Sequence, residues 1–70
     1  MSDLDARLLA SHAARDRTAL VALYAEAADD APDRDAAGFF LTQAYIYALE
    51  MGHPAAPALR ARLAAEGREE

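Results

Sequence analysis

Cysteine is absent from all 70 residues, so neither a disulfide nor a thiolate metal site holds this chain together. Lysine, asparagine and tryptophan are absent too, and the β-branched residues are only Thr18, Val21, Thr42 and Ile46. That leaves little from which to build a sheet. Basic charge is scarce, with seven arginines against 12 acidic residues and a formal net charge of −5. A nucleic-acid binder needs a basic stripe to neutralise phosphates, so nucleic acid and anionic membrane surfaces are not expected partners. No apolar run approaches the roughly 18 residues of a membrane span. The start, Met1-Ser2-Asp3-Leu4-Asp5, lacks the basic-then-apolar pattern of a secretory signal. A soluble cytoplasmic protein is expected.

What is present is mostly helix-forming. Alanine takes 20 of the 70 positions and has the best intrinsic helix propensity, with Leu, Arg and Glu close behind. Abundant Ala, Arg and Asp without Lys or Asn also point to a GC-rich bacterial coding bias. Seventy residues allow one domain, near the lower limit for folding alone. With no cysteine to staple it, regular helix packing or a second chain must supply the stability.

Helical periodicity and stop signals divide the chain into four helices, at about 3–14, 17–30, 35–51 and 55–66. Ser2 and Asp5 are spaced like a capping box for helix 1, whose apolar stripe is Leu4, Leu8 and Leu9, with His12 projecting between the last two as a partly buried residue. The stripe lapses over Ala14-Arg15-Asp16-Arg17-Thr18, and Asp16 is a good cap for a second helix. No Gly or Pro enforces a break, so one helix from 3 to 31 is the alternative. Helix 2 places Leu20, Leu23, Tyr24, Ala27, Ala28 and Ala31 on one side with Val21 at its edge, and Glu26, Asp29 and Asp30 opposite. Pro32 stops it, and Asp33 or Asp35 caps helix 3, where negative charge also suits the helix dipole. Helix 3 is apolar nearly all round, with only Gln43 and Glu50 as a polar strip, so it reads as buried on several sides, by the other helices or by a second subunit. Gly52-His53-Pro54 ends it. Helix 4 tolerates Pro57 in its first turn and has a thin stripe of Ala56, Leu59 and Leu63. The expected fold class is all-α: a small bundle of about four antiparallel helices, two hairpins, with helix 3 central and residues 1–70 forming one domain.

Chemistry-bearing constellations are sparse. If Asp33 and Asp35 opened a calcium loop, Ala37 and Ala44 would stand where ligands are required, including the bidentate Glu; Asp29, Asp30, Asp33 and Asp35 read instead as a solvated helix end with caps. His12 and His53 are far apart in sequence and have no Cys company, whereas a zinc site needs a tight ligand cluster. Ser2, Ser11, Thr18 and Thr42 lie in no nucleophile turn, and Gly38, Gly52 and Gly67 form no phosphate loop. Ser2-Asp3-Leu4 has the wrong order and place for the Asp-Ser-Leu of an acyl carrier protein. No catalytic residue, metal or cofactor is expected.

Five aromatics remain: Tyr24, Phe39, Phe40, Tyr45 and Tyr47. On a helical wheel Phe39 and Tyr45 diverge widely from Phe40 and Tyr47, so both pairs do not face one small core. Aromatic anchors dominate interfaces, and Phe39, Tyr45, Ile46 and Leu49 form the expected interface, including that of a homodimer.

Tyr45, Ala48-Leu49-Glu50-Met51 and Pro54 resemble the aromatic-x-x-Ala-Leu-Glu-Leu…Pro ending of a tetratricopeptide or Sel1-type second helix. The stretch Asp16-Arg17-Thr18-Ala19-Leu20-Val21-Ala22-Leu23-Tyr24 is similar to a repeat's first helix. Leu20 and Tyr24 recur as Leu59 and Leu63 at a spacing of about 39 residues, longer than the roughly 34 of that repeat. The sequence departs at Gly52-His53, one residue longer than the usual link, at Leu41, where a small residue is usual, and in the long 30–35 connection. The resemblance implies a helical-hairpin scaffold that binds protein. The expected function is therefore a non-catalytic protein-interaction or assembly module that self-associates. The alternative is an acidic regulatory protein, of inhibitor or antitoxin type, that docks on a basic partner.

Overall fold

The computed structural model of the chain describes residues 3–65. Four helices account for most of them: α1 (Asp3–Ala14), α2 (Arg17–Asp29), α3 (Arg34–Glu50) and α4 (Ala56–Ala65). The all-α, antiparallel hairpin architecture expected from the sequence is observed, with shifts of a residue at several helix ends. Ser2 of the expected capping box and the end of helix 4 at residue 66 lie outside the described residues.

Each boundary has a local cause. The Asp16 carboxylate accepts from Ala19 N at 3.1 Å, and that of Asp33 accepts from Ala36 N at 2.8 Å, so each meets an otherwise orphaned amide of a first turn. Asp33, not Asp35, is the cap of α3. Helix 3 ends in a Schellman motif: His53 N donates to Ala48 O at 2.8 Å and Gly52 N to Leu49 O at 3.2 Å, with Gly52 at φ +60°. Glycine takes that left-handed conformation without a Cβ penalty. The break between α1 and α2 is built the same way. Asp16 N donates to Ser11 O at 2.9 Å and Arg15 N to His12 O at 3.1 Å, with Arg15 at φ 55°. Here a residue with a full side chain occupies the left-handed position, which is why no glycine marks this stop.

The helices pack in chain order. Among the described residues α1 lies on α2, α2 on α3 and α3 on α4, and no other pair of helix backbones is in close contact. The result measures 31 × 29 × 13 Å. A rod-like bundle of helices this long would have one long dimension, about 25 Å at 1.5 Å per residue, and two short ones. The molecule is a slab with two long dimensions.

The core runs through the middle of the slab. Val21 and Ala28 from α2, Leu41, Ala44 and Ala48 from α3, and Leu59 and Leu63 from α4 form one buried cluster. Small alanines on α3 let its neighbours approach closely, and Leu41, at 0 % exposure, is the largest fully shielded side chain. Val21, expected at the edge of the α2 stripe, is buried, because α3 crosses on that side. Arg62 Nη2 reaches Asp29 Oδ1 at 2.7 Å and ties α4 to the end of α2 across the cluster. In α1 no residue is buried. Leu4 and Leu8 are half-buried, and Leu9 is 60 % exposed.

Candidate interaction surface

Helix α3 is the element whose coverage decides what the surface offers. The sequence implies a helix apolar nearly all round, buried on several sides by the other helices or by a second subunit, and within the slab the chain's own helices cover only part of it. With α2 and α4 as its neighbours, α3 buries Gly38, Leu41, Ala44 and Ala48 and leaves its outer side bare. Phe39 is 58 % exposed, Leu49 55 % and Ile46 44 %. Exposed Thr42 lies between them, and its hydroxyl donates to Gly38 O at 2.8 Å. Spending the hydroxyl on the helix backbone leaves the Thr42 methyl as the outward group. Phe39, Thr42, Ile46 and Leu49 therefore form one apolar stripe.

Of the four residues expected at an interface, Phe39, Ile46 and Leu49 stand on this stripe. Tyr45 does not: it is half-buried and packed against the core cluster. The Phe39 ring meets Phe40 edge-on at 5.5 Å, so the stripe is continuous with the aromatic packing behind it.

That packing joins three helices. Tyr24 of α2 stacks on Tyr47 at 5.9 Å and on Phe40 at 6.2 Å, both from α3. His12 of α1 approaches Tyr24 at 5.9 Å and Tyr47 at 6.2 Å, both edge-on, and its Nε2 lies 2.8 Å from the Tyr24 hydroxyl. His12 is thus exposed rather than partly buried, yet held by a hydrogen bond. Burial first, and the adjacent Tyr47 second, push the Tyr24 phenol above its ordinary pKa of 10.0. Nothing local in the sequence pairs His12 with Tyr24; the hairpin brings them together. Beside them, Arg7 Nη1 lies 3.0 Å from Glu26 Oε2, a shielded oxygen that this contact does not hydrogen-bond.

A cleft of about 320 Å³ opens between α1, the end of α2 and α3, lined by Leu4, Leu8, Ala27, Ala31, Pro32 and Phe40, with Asp5 and Asp30 also on its wall. The acidic residues near the α2–α3 turn are largely engaged within the chain: Asp29 with Arg62, Asp33 as a cap, and Asp35 by a further contact. His53 is separate from His12, its Nδ1 accepting from Ala55 N at 3.0 Å in the turn before α4. Among the described residues no three His, Cys, Asp or Glu side chains cluster to hold a metal ion, and no helix is long and apolar enough to cross a membrane.

Fold and surface together define a small all-α hairpin protein with an uncovered apolar stripe on its third helix. No family model matches the chain, and no curated protein and no solved structure matches it at a significant level.

Proposed function

We propose that the chain is a non-catalytic protein-interaction or assembly module that docks through the outer side of α3 and associates with itself. The observation that carries this reading is the row Phe39, Ile46 and Leu49, three large apolar side chains exposed side by side on one helix. Single exposed apolar residues are ordinary, but a contiguous set marks a contact surface. The serial packing of the helices also suits the hairpin-repeat scaffold that the sequence resembles, in which each hairpin leaves a face for a neighbour. The alternative, docking of a basic partner on the acidic turn, is weakened by the internal contacts of Asp29, Asp33 and Asp35.

Solution mass by light scattering over a dilution series tests the reading. The unmodified chain is expected to gain mass with concentration. Phe39→Glu and Ile46→Glu each place a charge on the stripe and are expected to return it to the monomer with helicity unchanged. A chain that stays monomeric throughout, with neither substitution altering partner capture, removes the proposal.

A further inference from the structure

The geometry points to a two-fold symmetric dimer in which α3 lies antiparallel against α3 of a second copy, with Phe39 opposite the second copy's Leu49 and Thr42 opposite its Ile46. This rests on the self-association proposed above and adds the partner's orientation and register.

Spacing is the first ground. Positions 39, 42, 46 and 49 follow one another by three, four and three residues, the a/d pattern by which two helices mesh at a shallow angle, about 20°. Sequence separations on the stripe are also symmetric about position 44. An antiparallel copy therefore sets each member of the stripe against another member, and no apolar side chain is left facing a polar one. The resulting contact is isologous and closes on itself.

Layer composition is the second ground. Antiparallel pairing makes two kinds of layer, each occurring twice: Phe with Leu, and Thr with Ile. Small Thr42 then always faces larger Ile46. Parallel pairing instead places Phe39 on Phe39, Thr42 on Thr42 and Ile46 on Ile46, so a layer of two small side chains falls between two layers of large ones. Close packing penalises that alternation of crowding and void.

Charge is the third. Carrying the spacing one step outward at the N-terminal end reaches exposed Asp35, and exposed Glu50 lies on the same side of the helix. Parallel pairing brings each of these carboxylates next to its own copy. Antiparallel pairing sends Glu50 toward Gly38 of the second copy and Asp35 toward the turn at His53. It also sets the positive end of each helix dipole beside the negative end of the other.

One pair of 17-residue helices buries less than the roughly 1,200 Å² of a standard interface, so the dimer is concentration-dependent. Absence of native cysteine makes cross-linking direct. Thr42→Cys and Ile46→Cys chains are prepared separately, checked for helicity, and oxidised mildly, alone and mixed. A disulfide is expected only in the mixture. Cα atoms that face each other at one level, each about 2.3 Å off its axis on helices about 8–10 Å apart, are about 4–5 Å apart and within reach of a bridge, whereas in an antiparallel pair two copies of position 42 are also offset by about 6 Å along the axis, which takes them past the Cα limit of about 7 Å. Phe39→Cys mixed with Leu49→Cys is expected to behave alike. Bridges within a single variant mean a parallel pair and overturn the orientation while self-association stands. A dimer by mass with no bridge in any combination overturns the register alone. A monomer at every concentration overturns both.

Discussion

Arg15 holds the least comfortable backbone in the described chain. Its φ of 55° places a Cβ where L-residues meet the following carbonyl, at a cost of about 1–2 kcal/mol. The two turn bonds that close around it, from Asp16 N and Arg15 N, keep it there. Arg15→Gly relieves the strain, offset in part by a more flexible unfolded chain. Thermal or urea denaturation is expected to show a gain of about 1 kcal/mol; a loss would mean that the Arg15 side chain contributes more than its backbone costs. Tyr24 gives a second residue-scale expectation. Its pKa is raised in the folded state by burial and by Tyr47, so the unfolded chain releases that proton first as pH climbs. The Tyr24 contribution is therefore intact below the ordinary phenol pKa, about 10, and is lost as pH rises from there through the folded value. Melting temperature followed across that range should fall less steeply in Tyr24→Phe than in the unmodified chain.

Among the helices, α1 is the one held from outside the core. It buries no residue, and its links to the rest include the hydrogen bond and ring contacts of His12 with Tyr24 and Tyr47, the Arg7–Glu26 ion pair and the half-buried Leu4 and Leu8. Exposed ion pairs contribute about 0–1 kcal/mol, so α1 opens at lower free energy than the core helices. Amide exchange is expected to be fastest in α1 and slowest around Leu41 and Ala44 of α3, and His12→Ala is expected to speed exchange in α1 without changing it in α4. Equal protection of α1 and α3 would contradict the division. Asp16, Asp33 and Gly52 are short-range codes, each read from its own few residues, and the helix spans follow from them. The stop at Arg15 carries no such code beyond the Asp that follows. The partners of Tyr24 are invisible for a different reason: His12 is 12 residues before it and Tyr47 is 23 after it, and only the packed helices bring them together.

For the whole molecule, the arrangement of the helices decides which apolar surface is covered. Composition and periodicity disclose that α3 is apolar nearly all round, and also that helices 1 and 4 have thin stripes. They do not disclose that the helices lie side by side in a slab 13 Å thick. A slab covers α3 on the sides that face α2 and α4 and leaves its outer side to solvent or to another chain. Phe39, Ile46 and Leu49 are legible as surplus apolar surface for that reason, whereas the packing of Tyr45 against the core cluster depends on how the helices fold back on one another. Serial packing has one more consequence, in time rather than space. Because each helix docks on the one before it, few native contacts join residues distant along the chain, and little loop entropy is lost before a contact stabilises what has formed. Such chains fold in microseconds to milliseconds. The α2–α3 hairpin, which has the most extensive contact, joins neighbours in the chain, and α1 and α4 each extend it by docking on the adjoining helix.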